Sequence, residues 1–195
     1  EFISFWTPES RCYEPLTSLA PVEQHRGRAQ LWIQTDNLRI EDVSRSDDAM
    51  EFAELRQYAA AVSNDLVCYT LMEAHRIVFP KLEKRFHAHM DTLCDPTAPT
   101  MMLFYTGNAN SSQDVVQYGF VQRSPSSGIT FANNLSDPAH VVAPSTPQKT
   151  LLCEVAIGKV TSTPSAAHQA DSLLAIKGVH RLYTVFHVDQ AIPRY

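Results

Sequence analysis

The hydrophobic pattern of the chain changes character at Asp95-Pro96-Thr97-Ala98-Pro99. Ahead of this turn-rich segment, apolar residues recur at helical spacing twice. Phe52, Leu55, Ala59 and Val62 follow Asp48 and Glu51, a pair that fits an N-terminal cap, and Leu82, Phe86, Met90 and Leu93 follow Pro80, which suits the first helical position. Beyond it the apolar residues fall into short runs with β-type patterning: Met101 to Tyr105, Gly128 to Ala132, Leu151 to Val160 and Leu182 to Val188. A short helix, Ser111 to Tyr118, closed by Gly119, interrupts them, with Ser111 and Asp114 in capping-box relation. Helices first and several short strands afterwards predict an α+β fold around a mostly antiparallel sheet.

The rest of the chain fits around this frame. Residues 66 to 79 are dense in β-formers and read as one long strand, buried on both faces for part of its length. Thr161 to Lys177, rich in Ser, Thr, Ala and His, reads as a long connection with one helical turn. Residues 1 to 47 read as an irregular N-terminal arm packed on the core, with one short strand at Leu31-Trp32-Ile33-Gln34. Its aromatic residues Phe2, Phe5 and Trp6 are expected to pack back on the core rather than to anchor a partner. Residues 48 to 195 are expected to form one globular unit, since 195 residues with 44% hydrophobic content suffice for a sizeable core.

Charge and cysteine usage narrow the function classes. A net charge of −5, with 16 Lys and Arg scattered without any run of basic residues, gives no general attraction to phosphate backbones, so nucleic acid is a partner without support from charge. The four cysteines contain no CxxC pair, which favours a reducing, intracellular compartment, the nucleus or the cytoplasm. No apolar run approaches the roughly 18 residues of a membrane helix. His87-Ala88-His89 would point both imidazoles one way on a strand, but on the predicted helix they diverge, so no metal site is expected. His75, His140, His168, His180 and His187 are read as structural or exposed, and no Walker A, GxGxxG or GxSxG motif occurs. The chain starts without Met and stops inside a structured segment, as a piece of a longer protein would.

Four segments, in order, carry a family resemblance. They are Leu103-Phe104-Tyr105-Thr106-Gly107 with Val115 to Phe120, Gly128-Ile129-Thr130-Phe131-Ala132 followed by Ser136, Leu151 to Val160, and Tyr183 to Tyr195. This set resembles the signature segments of the poly(ADP-ribose) polymerase-like ADP-ribosyltransferases, over residues 101 to 195. The resemblance implies that family's catalytic fold, a mostly antiparallel split sheet with flanking helices. In active members a His donates to a ribose hydroxyl of NAD, a Tyr stacks on nicotinamide, and a Glu stabilises positive charge as the glycosidic bond breaks. The matching positions here are Tyr105, Thr130 and Leu182, and all three differ from the active set.

Leu182 alone is compatible with activity, because related mono-ADP-ribosyltransferases carry an aliphatic residue there. Tyr105 replaces an imidazole with a bulky phenol, Thr106 adds a side chain where the family uses Gly, and Thr130 offers no ring face. The resemblance therefore implies a vestigial cleft at Tyr105, Thr106, Gly107, Thr130, Ser136 and Leu182, with no catalytic residue intact and no cofactor bound. The chain is then similar to the degenerate branches of the family, such as the zinc-finger antiviral protein and the plant radical-induced cell death proteins. A pseudoenzyme serving as a protein-interaction or scaffold module is the expectation. One alternative is an active mono-ADP-ribosyltransferase that positions NAD through Ser136 or Tyr118. The other is an RNA-binding module. Val121 to Ser127 and Asn133 to Thr150 match the loops that border donor and acceptor sites in the family.

Overall fold

The computed structural model describes residues 3–6, 38–43, 49–62, 70–107, 109–122, 128–135 and 148–195. Its centre is a seven-stranded sheet built from β5 (Thr100–Tyr105), β6 (Ile129–Ala132), β8 (Leu152–Ala156), β9 (Val160–Thr161), β10 (Ser172–Lys177), β11 (His180–Val185) and β12 (Ala191–Pro193). The order across the sheet is β12-β8-β5-β6-β11-β10-β9, and every pairing is antiparallel except β9 with β10. A three-stranded sheet joins β1 (Ile3–Trp6) to β3 (Thr70–Glu73) and β7 (Gln148–Thr150), and β2 (Arg39–Asp42) pairs with β4 (His75–Val78). Among the described residues there are three α-helices, α1 (Ala49–Ala61), α2 (Pro80–Met90) and α3 (Ala109–Tyr118). The α+β class is as the pattern predicts.

The sheet is covered on both sides because its central strands are apolar on both faces. In β8 the pleat sends Cys153 and Val155 one way and Leu152 and Ala156 the other, and all four are buried. On the first side, Leu103, Phe131, Cys153, Val155 and Val185 pack with Val115 and Val116 of α3 and with Phe120 beyond it. On the second, Phe104 and Leu152 pack beneath Ala59 of α1, while Ala156 and Ile192 meet Leu82 and Phe86 of α2. Leu82 and Phe86 are four residues apart, so they share one helix face. Full burial of such side chains is worth about 1.5–3 kcal/mol each. Pro80 occupies the first turn of α2, where its missing N–H costs nothing. Gly119 closes α3 with φ 81°, a left-handed conformation in which its N–H reaches Val115 O at 2.8 Å.

Four local expectations change. The stretch read as one long strand is divided at Ala74, with β3 pairing to β1 and β4 to β2. The break is tied down by Val43 N–H, which donates to Ala74 O at 2.9 Å. The connection from Thr161 to Lys177 contains its predicted helical turn, a 3-10 helix at Pro164–Gln169, but it also contains the full strand β10. α3 begins at Ala109, two residues before the predicted start at Ser111. The described residues of the N-terminal arm form two strands, β1 and β2. The predicted strand at 31–34 and the predicted cap at Asp48 lie outside the described residues. Among the described residues no helix is long and apolar enough to cross a membrane.

Candidate functional site

Tyr105 ends β5 directly opposite Phe131 of β6, which in turn lies opposite Tyr183 of β11. Residues opposite one another in an antiparallel ladder share a face, so the Tyr105 ring enters the core on the α3 side. There it meets Phe120 edge-on, with centroids 5.3 Å apart, and Phe131 at 5.9 Å. Phe120 and Phe131 are themselves T-shaped at 5.4 Å, which completes a three-ring cluster. Gly107 is what lets the ring lie back. A Cβ at this position would collide with the edge and hydroxyl of Tyr105.

Thr130 and Leu182 occupy the opposite face. Thr130 lies across from Thr184, and Leu182 across from Ala132 and hence beside Phe104. The pleat thus brings Thr130 and Leu182 onto one face, the α1 side, and leaves Tyr105 on the other. The polar groups between the strands are satisfied by one another. Thr106 donates to Thr130 O through both its hydroxyl, at 2.8 Å, and its N–H, at 3.3 Å. The Thr130 hydroxyl is 3.0 Å from the Thr184 hydroxyl. Leu182 is buried. Ser136 lies outside the described residues, as do 123–127 and 136–147 of the two loops expected to border the site. Tyr118, the other candidate NAD contact, is exposed at the end of α3.

The histidines separate into distinct environments. His87 is exposed on α2, while His89 stacks on His187 with centroids 4.0 Å apart and planes 12° from parallel. Burial lowers the His89 pKa below its ordinary value and the neighbouring His187 lowers it further, against the opposing pull of Asp189 and Asp171. His180 Nδ1 sits 2.6 Å from Asn134 Oδ1. Among the described residues no group of His, Cys, Asp and Glu is arranged to hold a metal ion.

A concave feature lies on the α1 side of the sheet, and Tyr105, Thr130 and Leu182 are not among its lining residues. It is a cleft of about 430 Å³. Glu51, Glu54, Leu55 and Tyr58 of α1 form one wall. Met102, Leu152 and Glu154 form the other, and Arg194 and Tyr195 close one end. Tyr58 donates its hydroxyl to Met102 O at 2.6 Å, and its ring lies 5.9 Å from that of Phe104. Arg194 bonds Glu154 through Nε at 2.9 Å and Glu83 through Nη1 at 3.0 Å. Burial alone would lower the Arg194 pKa, but the two carboxylates outweigh it and raise the value. Glu51 is held by Arg76 and by the Tyr195 hydroxyl. Sequence reasoning missed this cleft because its walls come from segments about 50 to 140 residues apart. The stripe 51, 54, 55, 58 was readable as one helix flank, but its opposing wall was not.

No protein-family model matches the chain, and no curated protein matches it.

Proposed function

We propose that this chain is a non-catalytic binding module, a degenerate ADP-ribosyltransferase domain that engages a protein partner and serves as a scaffold in a larger chain. The observation that carries the reading is the inward commitment of the groups at the matched positions. The Tyr105 ring is spent on Phe120, Phe131 and the bare Cα of Gly107. The Thr106 and Thr130 hydroxyls are spent on the strand neighbours. A dinucleotide would have to break these contacts before gaining any of its own, and Leu182 offers no charge to stabilise an oxocarbenium-like transition state. Transfer chemistry needs donors aimed at the reacting sugar, and the Thr106 and Thr130 hydroxyls are already engaged within the sheet.

Incubation of the protein with labelled NAD tests this. We expect no label on the protein or on added acceptor proteins. Incorporation that Tyr118→Phe or Ser136→Ala abolishes would instead establish the active mono-ADP-ribosyltransferase alternative.

A further inference from the structure

We propose that the cleft between α1 and the β5–β8 face receives a lysine or arginine side chain presented by a partner protein, an inference that rests on the binding-module reading and names the partner's chemistry. Residues 51, 54, 55 and 58 follow the i, i+3, i+4, i+7 spacing that places them on one flank of α1. That flank stands over Met102 and Leu152, so the cleft has an apolar floor beneath an acidic rim. Among the lining residues three carboxylates, Glu51, Glu54 and Glu154, face one guanidinium, Arg194, a net charge of −2 (three negative less one positive). Just outside the lining, Arg76 stands in the charge balance against two carboxylates, Glu83 and Glu41, the latter paired with Arg76 itself.

The rim carboxylates are not equivalent. Glu51 and Glu154 are committed to Arg76 and Arg194 and are about one-fifth exposed. Glu54 is exposed and makes no ion pair or hydrogen bond among the described residues. It is the open acceptor at the mouth. A Lys or Arg chain satisfies both parts of such a site, since its methylene stem covers apolar surface while its head stays at the polar rim. The Leu55, Met102 and Leu152 side chains suit the stem, the Glu54 carboxylate suits the head, and the Tyr58 ring adds a π-face for the cation. A phosphate or carboxylate ligand would meet like charge at the same rim. Charge complementarity therefore selects a basic segment.

Titration of the ¹⁵N-labelled protein with the acetylated, amidated peptide Ala-Leu-Arg-Leu-Ala, followed by amide chemical shifts, tests this. Expected are saturable shifts centred on residues 51 to 58 and 194 to 195, weakened by salt, and absent with the Gln-for-Arg peptide. Because Glu54 is exposed, its variants should fold. Glu54→Gln should weaken binding about two- to five-fold, the range of an exposed ion pair, and Glu54→Lys should remove it. No saturable shift, equal shifts from the Gln peptide, or undiminished binding to Glu54→Lys would overturn the proposal. So would spermidine binding more tightly than the peptide, which would assign the cleft to a small polyamine. A parallel titration with NAD separates the two readings. Saturable NAD shifts with intact peptide binding would sink the binding-module reading alone, and silence from both ligands would sink the cleft assignment alone.

Discussion

The ring of Tyr105 lies against the α-carbon of Gly107, in space that a side chain at position 107 would need. Two residues of the proposed vestigial site are in this chain locked to each other. The ring cannot simply swing aside, because Phe120 and Phe131 hold its far side. Gly107→Ala should therefore destabilise the fold by about 1–3 kcal/mol, the usual cost of overpacking a filled site. The penalty should shrink in a Tyr105→Ala background, where the obstructing ring is gone. Chemical denaturation of the four members of the cycle measures the coupling, and strict additivity would show that the ring and Gly107 do not compete for space.

Asp171 organises the far end of the sheet. Its carboxylate accepts N–H bonds from Cys94 at 2.9 Å, Lys159 at 2.7 Å and Asp95 at 3.3 Å. Burial alone would raise its pKa, but these donors outweigh that effect and lower it. Gly158, with φ 50°, packs so tightly against the carboxylate that a Cβ there would collide with it. Asp171→Ala should cost about 2–3 kcal/mol, at about 1 kcal/mol net per lost hydrogen bond. A loss under about 0.5 kcal/mol by urea denaturation would show the carboxylate to be dispensable.

His89, stacked on His187, gives the fold a pH dependence with a definite sign. The folded-state pKa of His89 lies below the ordinary value of 6.5, so the unfolded chain binds more protons in the window beneath that value. Stability is then greatest above the window and falls as pH drops through it. Urea midpoints should decrease between about pH 7.5 and about pH 5.5, and His89→Gln should flatten that decrease. An equal slope in wild type and variant would place the titration elsewhere.

Legibility in the sequence followed how local each determinant was. The start of α2 at Pro80, its buried Leu82 and Phe86, and the Gly119 stop of α3 depend on residues within a turn of one another, and all were readable. β10 was not. Ser172 to Lys177 is polar at one end and exposed at the other, so its strand character comes from pairing with β11 rather than from its own pattern. The division at Ala74 was hidden for the same reason, because β-formers on both sides leave the choice of partner strand to the tertiary fold. At the candidate site, the residue types at 105, 130 and 182 were legible. Their division between two sheet faces and the pairing of Thr130 with Thr184 required the register.

Isothermal calorimetry of the protein against about 1 mM NAD, backed by its melting temperature in the same buffer, decides whether these residues still grip a dinucleotide. We expect no binding heat and an unchanged melting temperature. A saturable heat accompanied by a concentration-dependent rise in melting temperature, reduced when Thr130 or Thr106 is altered, would contradict that expectation.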